Sequence, residues 1–140
     1  MKQEVEDKLE RLEKRVSALR EHSDTGLEEL EEDTMLMNAV ERNFQVALEI
    51  VLDICSMLIS EEGMEKPDDY RQMISALGEK GVLPEDFAER FEGAAGFRNI
   101  LVHQYDEVDM EKLHNRLTED LEDFDTFAQN IARYLKEKQE

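Results

Sequence analysis

Hydrophobic side chains recur every three or four residues over most of this chain, and charged side chains fill the positions between them. This spacing places the apolar residues on one face of an amphipathic helix. Near the N-terminus that face consists of Val5, Leu9, Leu12, Val16 and Leu19. The run from 28 to 33 is too acidic to bury a face, so the sequence predicts a loop or frayed turn before the next helix.

The longest apolar stripe lies between residues 40 and 59 and covers five helical turns. It consists of Val40, Phe44, Ala47, Leu48, Val51, Leu52, Cys55, Leu58 and Ile59. We expect a central helix here, with Asp33 or Thr34 as its N-cap. The longest apolar run within it, from 50 to 59, is broken by Asp53 and is about ten residues long, whereas crossing a bilayer takes about 20. The sequence therefore predicts no transmembrane helix.

Turn-forming and capping residues divide the rest of the chain into three further helices. Pro67 separates the central helix from a short helix that we expect to end near Gly78. Pro84 starts another helix, which is predicted to run to about Val102. Asp109 can cap a single final helix.

The predicted fold class is all-α, an up-and-down helical bundle of four main helices plus one short helix. Only 2 Pro and 6 Gly interrupt the chain, which favours long helices over many short strands. With 140 residues, 40% of them hydrophobic, the chain suits one packed core. We therefore expect residues 1–140 to form a single domain.

Acidic residues outnumber basic ones, with 36 Asp and Glu against 17 Lys and Arg, for a formal net charge of -19. Such a chain lacks the basic surface that holds duplex DNA or anionic lipid, so we expect neither a DNA nor a membrane partner. The lone Cys55 cannot form an internal disulfide, and no apolar leader follows Met1, which favours the reducing cytoplasm. The 3 His are scattered without metal-ligand spacing and no cofactor motif is present, so we expect neither a metal site nor a cofactor.

A cation interrupts the apolar face of the helix that starts at Pro84. On a helical wheel, Arg98 lies near the middle of the stripe formed by Phe87, Phe91, Ala94, Ala95, Leu101 and Val102. Burying an unpaired guanidinium costs several kcal/mol, so Arg98 must meet an acidic partner, water or a bound anion. Two interpretations stay open: an arginine that reaches solvent or pairs with a carboxylate, and a functional cation.

Three further polar groups follow Arg98 in the same stretch: Asn99, His103 and Tyr105. From 90 to 105 there are two Arg and one Glu, a formal charge of +1 within a chain of -19, so an anionic ligand is tolerated there. Arg98 and His103 are five positions apart, about 140° around an ideal helix, and cannot meet on one face of an unbroken helix. They converge only if the helix ends between them or if a homodimer brings in a second copy.

The order of Arg98, four residues, His103, one residue and Tyr105 resembles the R-x4-H-x-Y motif of the HepT-like toxins in the HEPN superfamily. The likeness covers most of the chain after the first residues, and includes the segments 39–43, 67–71, 81–85, 96–99 and 105–109. The resemblance implies an all-helical, metal-independent endoribonuclease that acts as the toxin of a toxin–antitoxin pair. It also implies a homodimer, an RNA substrate, and a minimal nucleotidyltransferase antitoxin as the partner.

The resemblance also implies a role for each residue of the motif. Arg98 and His103 are expected to be catalytic, because metal-free cleavage needs a base for the ribose 2′-OH, an acid for the leaving 5′-oxygen and a cation for the charge on phosphorus. A homodimer would supply the second His103. Asn99 and Tyr105 are expected to support the site, and Tyr105 to accept adenylate from the antitoxin. A backbone cap at Asn99 and a boundary aromatic at Tyr105 stay open as alternatives.

A second class of function stays open beside the nuclease. The chain could be a non-catalytic HEPN helical module that binds a nucleotide or a partner nucleotidyltransferase. The net charge of -19 favours this alternative, because RNA would approach against a repulsive field. The intact Arg98, His103 and Tyr105 favour the nuclease.

Overall fold

The computed structural model describes residues 1–103 and 109–138, and for 102 and 103 it describes the backbone alone. Within these ranges the chain forms helices and no strand, which confirms the all-α fold class. The helices are α1 (Lys2–Arg20), α2 (Leu27–Glu32), α3 (Thr34–Glu61), α4 (Tyr70–Glu79), α5 (Glu85–His103), α6 (Met110–Glu119) and α7 (Leu121–Lys138). Helix α3 packs against α1, α4 and α5, while α4 also packs on α5 and α7 lies against α1.

The central helix α3 begins where the sequence predicts. Its N-cap is Asp33, whose carboxylate accepts a hydrogen bond from the backbone N–H of Leu36 at 3.0 Å. The chain turns away at Gly63, where a φ of 67° lies in the left-handed region that favours glycine. The side chains of Val51, Ile54 and many other apolar residues of α3 are buried, so this helix forms the centre of the core.

Helix α3 is long and apolar enough to cross a membrane by length and composition alone. The count of uninterrupted apolar residues did not indicate this, because Asp53 divides the run. In the structure, 61% of the most apolar stretch of α3 is buried inside the bundle. Such burial is typical of the core helix of a helical bundle.

The C-terminal end of α3 is tied to α7 by polar side chains. The hydroxyl of Tyr134 donates to Glu62 Oε2 at 2.7 Å, and Lys138 Nζ lies 2.7 Å from the same oxygen. We call these three residues the Glu62 clamp. Both contacts come from α7, so the clamp holds the last helix against the end of the central one.

The structure differs from the predicted elements at two places. The acidic run expected to be a loop forms helix α2, because Leu30 is fully buried where α2 packs against α6 and α3. The final helix starts after its predicted cap, Asp109, but breaks at Asp120, which has φ -105° and ψ 2°. Helix α6 packs against α2 and α7 packs against α1, so the chain changes its packing partner at this break.

Candidate functional site

Helix α5 carries three of the predicted site residues, Arg98, Asn99 and His103, and packs against two other helices. Pro84 precedes it, Glu85 and Asp86 lie in its first turn, and the helix packs against α3 and α4. Its backbone is helical from Glu85 to His103, so the helix does not end between Arg98 and His103. One of the two ways to bring these residues together is therefore excluded, and the homodimer stays a prediction.

The guanidinium of Arg98 contacts three side chains. Its Nη2 lies 3.8 Å from Glu49 Oε1 on α3, and its Nη1 donates to Asn99 Oδ1 at 3.3 Å. Its Cζ lies 5.0 Å from the centre of the Tyr70 ring on α4. Only 19% of the Arg98 side chain is exposed, so the cation is largely enclosed between α3 and α4.

These contacts leave Arg98 incompletely satisfied. Its Nε–H is buried without a hydrogen-bond partner among the described residues. The distance to Glu49 exceeds hydrogen-bond length, and the bond to Asn99 is longer than the 2.7–3.2 Å typical of such bonds. A guanidinium has five N–H donors. Arg98 therefore pairs with a carboxylate, as one interpretation of the sequence required, and these contacts do not use its full capacity to donate hydrogen bonds.

The structure describes the side chain of Asn99, only the backbone of His103, and nothing of Tyr105. Asn99 is exposed on α5, and its amide oxygen accepts from Arg98, which puts the two side chains together. His103 is the last residue of α5, and its side chain lies outside the described residues. Tyr105 lies wholly outside them. The roles assigned to these residues stay predictions.

A cavity of about 240 Å³ opens beside Arg98. The residues that line it with Arg98 are Glu49, Leu52, Asp53, Ser56, Lys66, Tyr70 and Met73. Two carboxylates, Glu49 and Asp53, and two cations, Lys66 and Arg98, give this lining a formal charge of zero. The chain as a whole is strongly acidic.

The contacts of Glu49 and Tyr70 with Arg98 were not predicted from the sequence. A signal was present in α3, where Glu49 and Asp53 are four residues apart and lie on one face of the helix, within its most apolar stretch. Tyr70 gave no such signal, because its position on α4 fits an ordinary packed aromatic equally well. In the part of the chain that the structure describes, no group of three His, Cys, Asp or Glu side chains could hold a metal ion.

Comparison with known proteins assigns the chain to a family. The family model described as "Ribonuclease HepT-like" matches residues 5–131. An Archaeoglobus fulgidus protein named "Putative RNase" is 33% identical over 113 residues, which cover 81% of this chain and 80% of that protein. The "mRNA nuclease HepT" of Shewanella oneidensis is 24% identical over 103 residues, covering 74% of this chain and 77% of the relative.

A solved structure shows the same fold. It is described as a tri-AMPylated Shewanella oneidensis HEPN toxin in complex with MNT antitoxin. It matches this chain with a TM-score of 0.83 and 20% sequence identity, covering 92% of this chain and 96% of the other. The likeness extends over nearly the whole of both chains, so the two proteins share the arrangement of helices described above.

Proposed function

We propose, from the premise that this chain belongs to the ribonuclease HepT-like family, that it is a metal-independent endoribonuclease and the toxin of a toxin–antitoxin pair. The observation that carries the proposal is Arg98, a largely enclosed cation that lines a cavity and whose buried Nε–H has no hydrogen-bond partner among the described residues. Arg98 also occupies the first position of the motif that resembles HepT-like toxins. RNA is the substrate in this proposal, and no cofactor takes part.

Each group of the motif has a chemical task in the proposed reaction. One His103 takes the proton of the ribose 2′-OH, whose oxygen then attacks the adjacent phosphorus. The second His103 protonates the 5′-oxygen as its bond to phosphorus breaks, leaving a 2′,3′-cyclic phosphate and a free 5′-OH. Arg98 holds the negative charge that develops on the phosphoryl oxygens, and Asn99 helps to orient its guanidinium.

The site is composite in this proposal and forms at a homodimer interface. The unbroken helix α5 supports this, because positions 98 and 103 of one chain are about 140° apart around the axis of a helix. Two copies of α5 related by a two-fold axis bring two Arg98 and two His103 to one groove. One chain would offer a single histidine where both a base and an acid are needed.

The antitoxin of the proposed pair is a minimal nucleotidyltransferase that adenylylates Tyr105. The similar solved structure, whose description names an AMPylated toxin and its antitoxin, supports this part of the proposal. Tyr105 is two residues from His103 in the sequence. An adenylate there adds a phosphate that pairs with Arg98 and a base that fills the groove. A single domain over 1–140 and a cytoplasmic location complete the proposal, with no DNA or membrane partner.

Mixed dimers test the composite site. The parent chain is co-expressed with an excess of the His103→Ala variant, and RNA cleavage is measured per parent chain. If both histidines act in one groove, only parent–parent dimers cleave, so the activity per parent chain falls in proportion to the parent fraction. Mixing with Arg42→Ala, which replaces an exposed arginine on α3, is the control: this variant should be active itself, so cleavage per total chain should stay unchanged. Constant activity per parent chain, or a strictly monomeric protein, overturns the composite site.

A non-catalytic module that binds a nucleotide or a partner nucleotidyltransferase is the second candidate. The net charge of -19 favours it, as does the Glu49 carboxylate, which already faces Arg98. The two candidates separate in one assay of total RNA integrity. A parent chain that leaves RNA intact over a range of salt concentrations, yet binds the nucleotidyltransferase, supports the module.

A further inference from the structure

The cavity beside Arg98 combines an apolar floor with a polar rim. Leu52 and Met73 are 6% and 2% exposed and form the floor. Asp53 and Ser56 lie on the rim. Such a combination is typical of small-ligand sites, where apolar walls bury a flat molecule and a few polar groups fix its orientation. The volume of about 240 Å³ is below the roughly 300–1,000 Å³ of sites for drug-sized molecules, and suits one planar ring system.

We propose that this cavity is a nucleobase subsite, and that it prefers a base carrying an amino group. The inference rests on the proposed function, in which Arg98 holds an RNA phosphate. A base is joined to its backbone phosphate through a single ribose, so a cavity lined by the phosphate-holding side chain lies within reach of a neighbouring base. Single-stranded RNA is commonly read through such splayed bases.

The preference for an amino group follows from the groups on the rim. Asp53 and Glu49 offer carboxylate oxygens, which accept hydrogen bonds and cannot donate them. Lys8 Nζ lies 3.7 Å from Asp53 Oδ2, which is longer than a hydrogen bond, so this carboxylate keeps the capacity to accept. An amino group of cytosine, adenine or guanine donates to such an oxygen. Where cytosine carries its amino group, uracil carries a carbonyl oxygen, which a carboxylate repels.

Binding of non-cleavable RNA tests the subsite. We would use 2′-O-methyl tetranucleotides that differ only by cytosine or uracil at one position, because these bases differ by an amino group against a carbonyl oxygen. At the position whose base enters the cavity, the parent chain should bind the oligonucleotide with cytosine about 3- to 10-fold more tightly than the one with uracil. Such a ratio is expected for one hydrogen bond to an exposed carboxylate. Asp53→Asn should abolish the preference, because an amide both donates and accepts.

Two further variants make the test specific. Glu61→Gln removes the same charge from α3 two turns later, outside the cavity, and should keep the preference. Ser56→Leu should narrow the cavity and weaken the binding of both oligonucleotides. Equal binding of cytosine and uracil at every position overturns the inference, as does an equal effect of Asp53→Asn and Glu61→Gln. Absence of binding also overturns the proposed base subsite. The proposed nuclease activity is tested separately, by cleavage of long RNA by the parent chain.

Discussion

The guanidinium carbon of Arg98 lies 5.0 Å from the centre of the Tyr70 ring, so an aromatic side chain of α4 supports the cation carried by α5. A guanidinium over an aromatic face is attracted by the ring electrons and loses rotational freedom. The contact therefore orients Arg98 before any ligand binds.

Substitution of the two motif residues should separate chemistry from folding. Arg98→Ala and His103→Ala should each lower RNA cleavage about 10²-fold or more, as expected for the loss of a charge-stabilising or acid–base group. Denaturant unfolding should change little, because Arg98 makes only loose contacts. Arg42→Ala on α3 is the matched control. Parent-like cleavage by either motif variant would contradict the proposed catalytic roles.

The Tyr70 ring should matter more than its hydroxyl. Tyr70→Phe keeps the aromatic face and should retain cleavage, whereas Tyr70→Leu should lower it by about 2- to 5-fold, the equivalent of roughly 0.5–1 kcal/mol of cation–π interaction. Steady-state kinetics on a short RNA measure the effect. A general loss of stability would lower the unfolding midpoint of the Leu variant, so both variants need unfolding curves. Equal activity of the Phe and Leu variants would show that the ring does not position Arg98.

Chelation should not affect the proposed nuclease. The proposed reaction uses Arg98 and His103 for charge stabilisation and proton transfer. RNA cleavage by protein dialysed against EDTA should therefore equal that of untreated protein, and added Mg²⁺ should not increase it beyond its effect on RNA structure. Loss of cleavage on chelation, restored by a divalent cation, would disprove the metal-independent mechanism.

Adenylylation should be confined to one of the 3 tyrosines. Tyr134 is 8% exposed and its hydroxyl donates to Glu62, while the ring of Tyr70 lies against Arg98. With ATP and the cognate nucleotidyltransferase, mass spectrometry should locate the adenylate on Tyr105. Tyr105→Phe should keep part of the nuclease activity and escape silencing. Modification of Tyr70 or Tyr134 would refute the assignment.

The Glu62 clamp should make stability depend on pH in the acidic range. Hydrogen bonds from Lys138 and Tyr134 lower the pKa of Glu62 below its ordinary value of 4.5. A lowered pKa stabilises the fold above the unfolded value, and this contribution is lost as the pH falls through the folded pKa. The unfolding free energy of the parent should exceed that of Glu62→Gln at neutral pH, and the difference should shrink below about 4.5. A difference independent of pH would exclude ionised Glu62 as the cause.

The features that the sequence predicted correctly depend on local interactions. The helical spacing of apolar residues located α3 and α5, and Asp33 and Asp109 cap their helices through bonds to residues two or three positions away. The position of Arg98 on an apolar face was likewise readable from a helical wheel.

The features that the sequence did not predict depend on packing between distant segments. Helix α2 is stable because α6 and α3 bury Leu30, and α6 is far along the chain. The contacts of Arg98 with Glu49 and Tyr70 join three helices, and their geometry depends on the angles at which those helices cross.

Helices α4 and α5 pack closely because residue 78 is a glycine, which has no side chain to separate them. A Cβ placed on Gly78 would lie 2.6 Å from the Cβ of Ala88, so any larger residue at 78 forces the two helices apart. Tyr70 is eight residues earlier on α4, about 12 Å along the helix axis, and depends on the same spacing to reach Arg98. A substitution at Gly78 would therefore change how Tyr70 meets Arg98 without replacing any residue that lines the cavity beside Arg98.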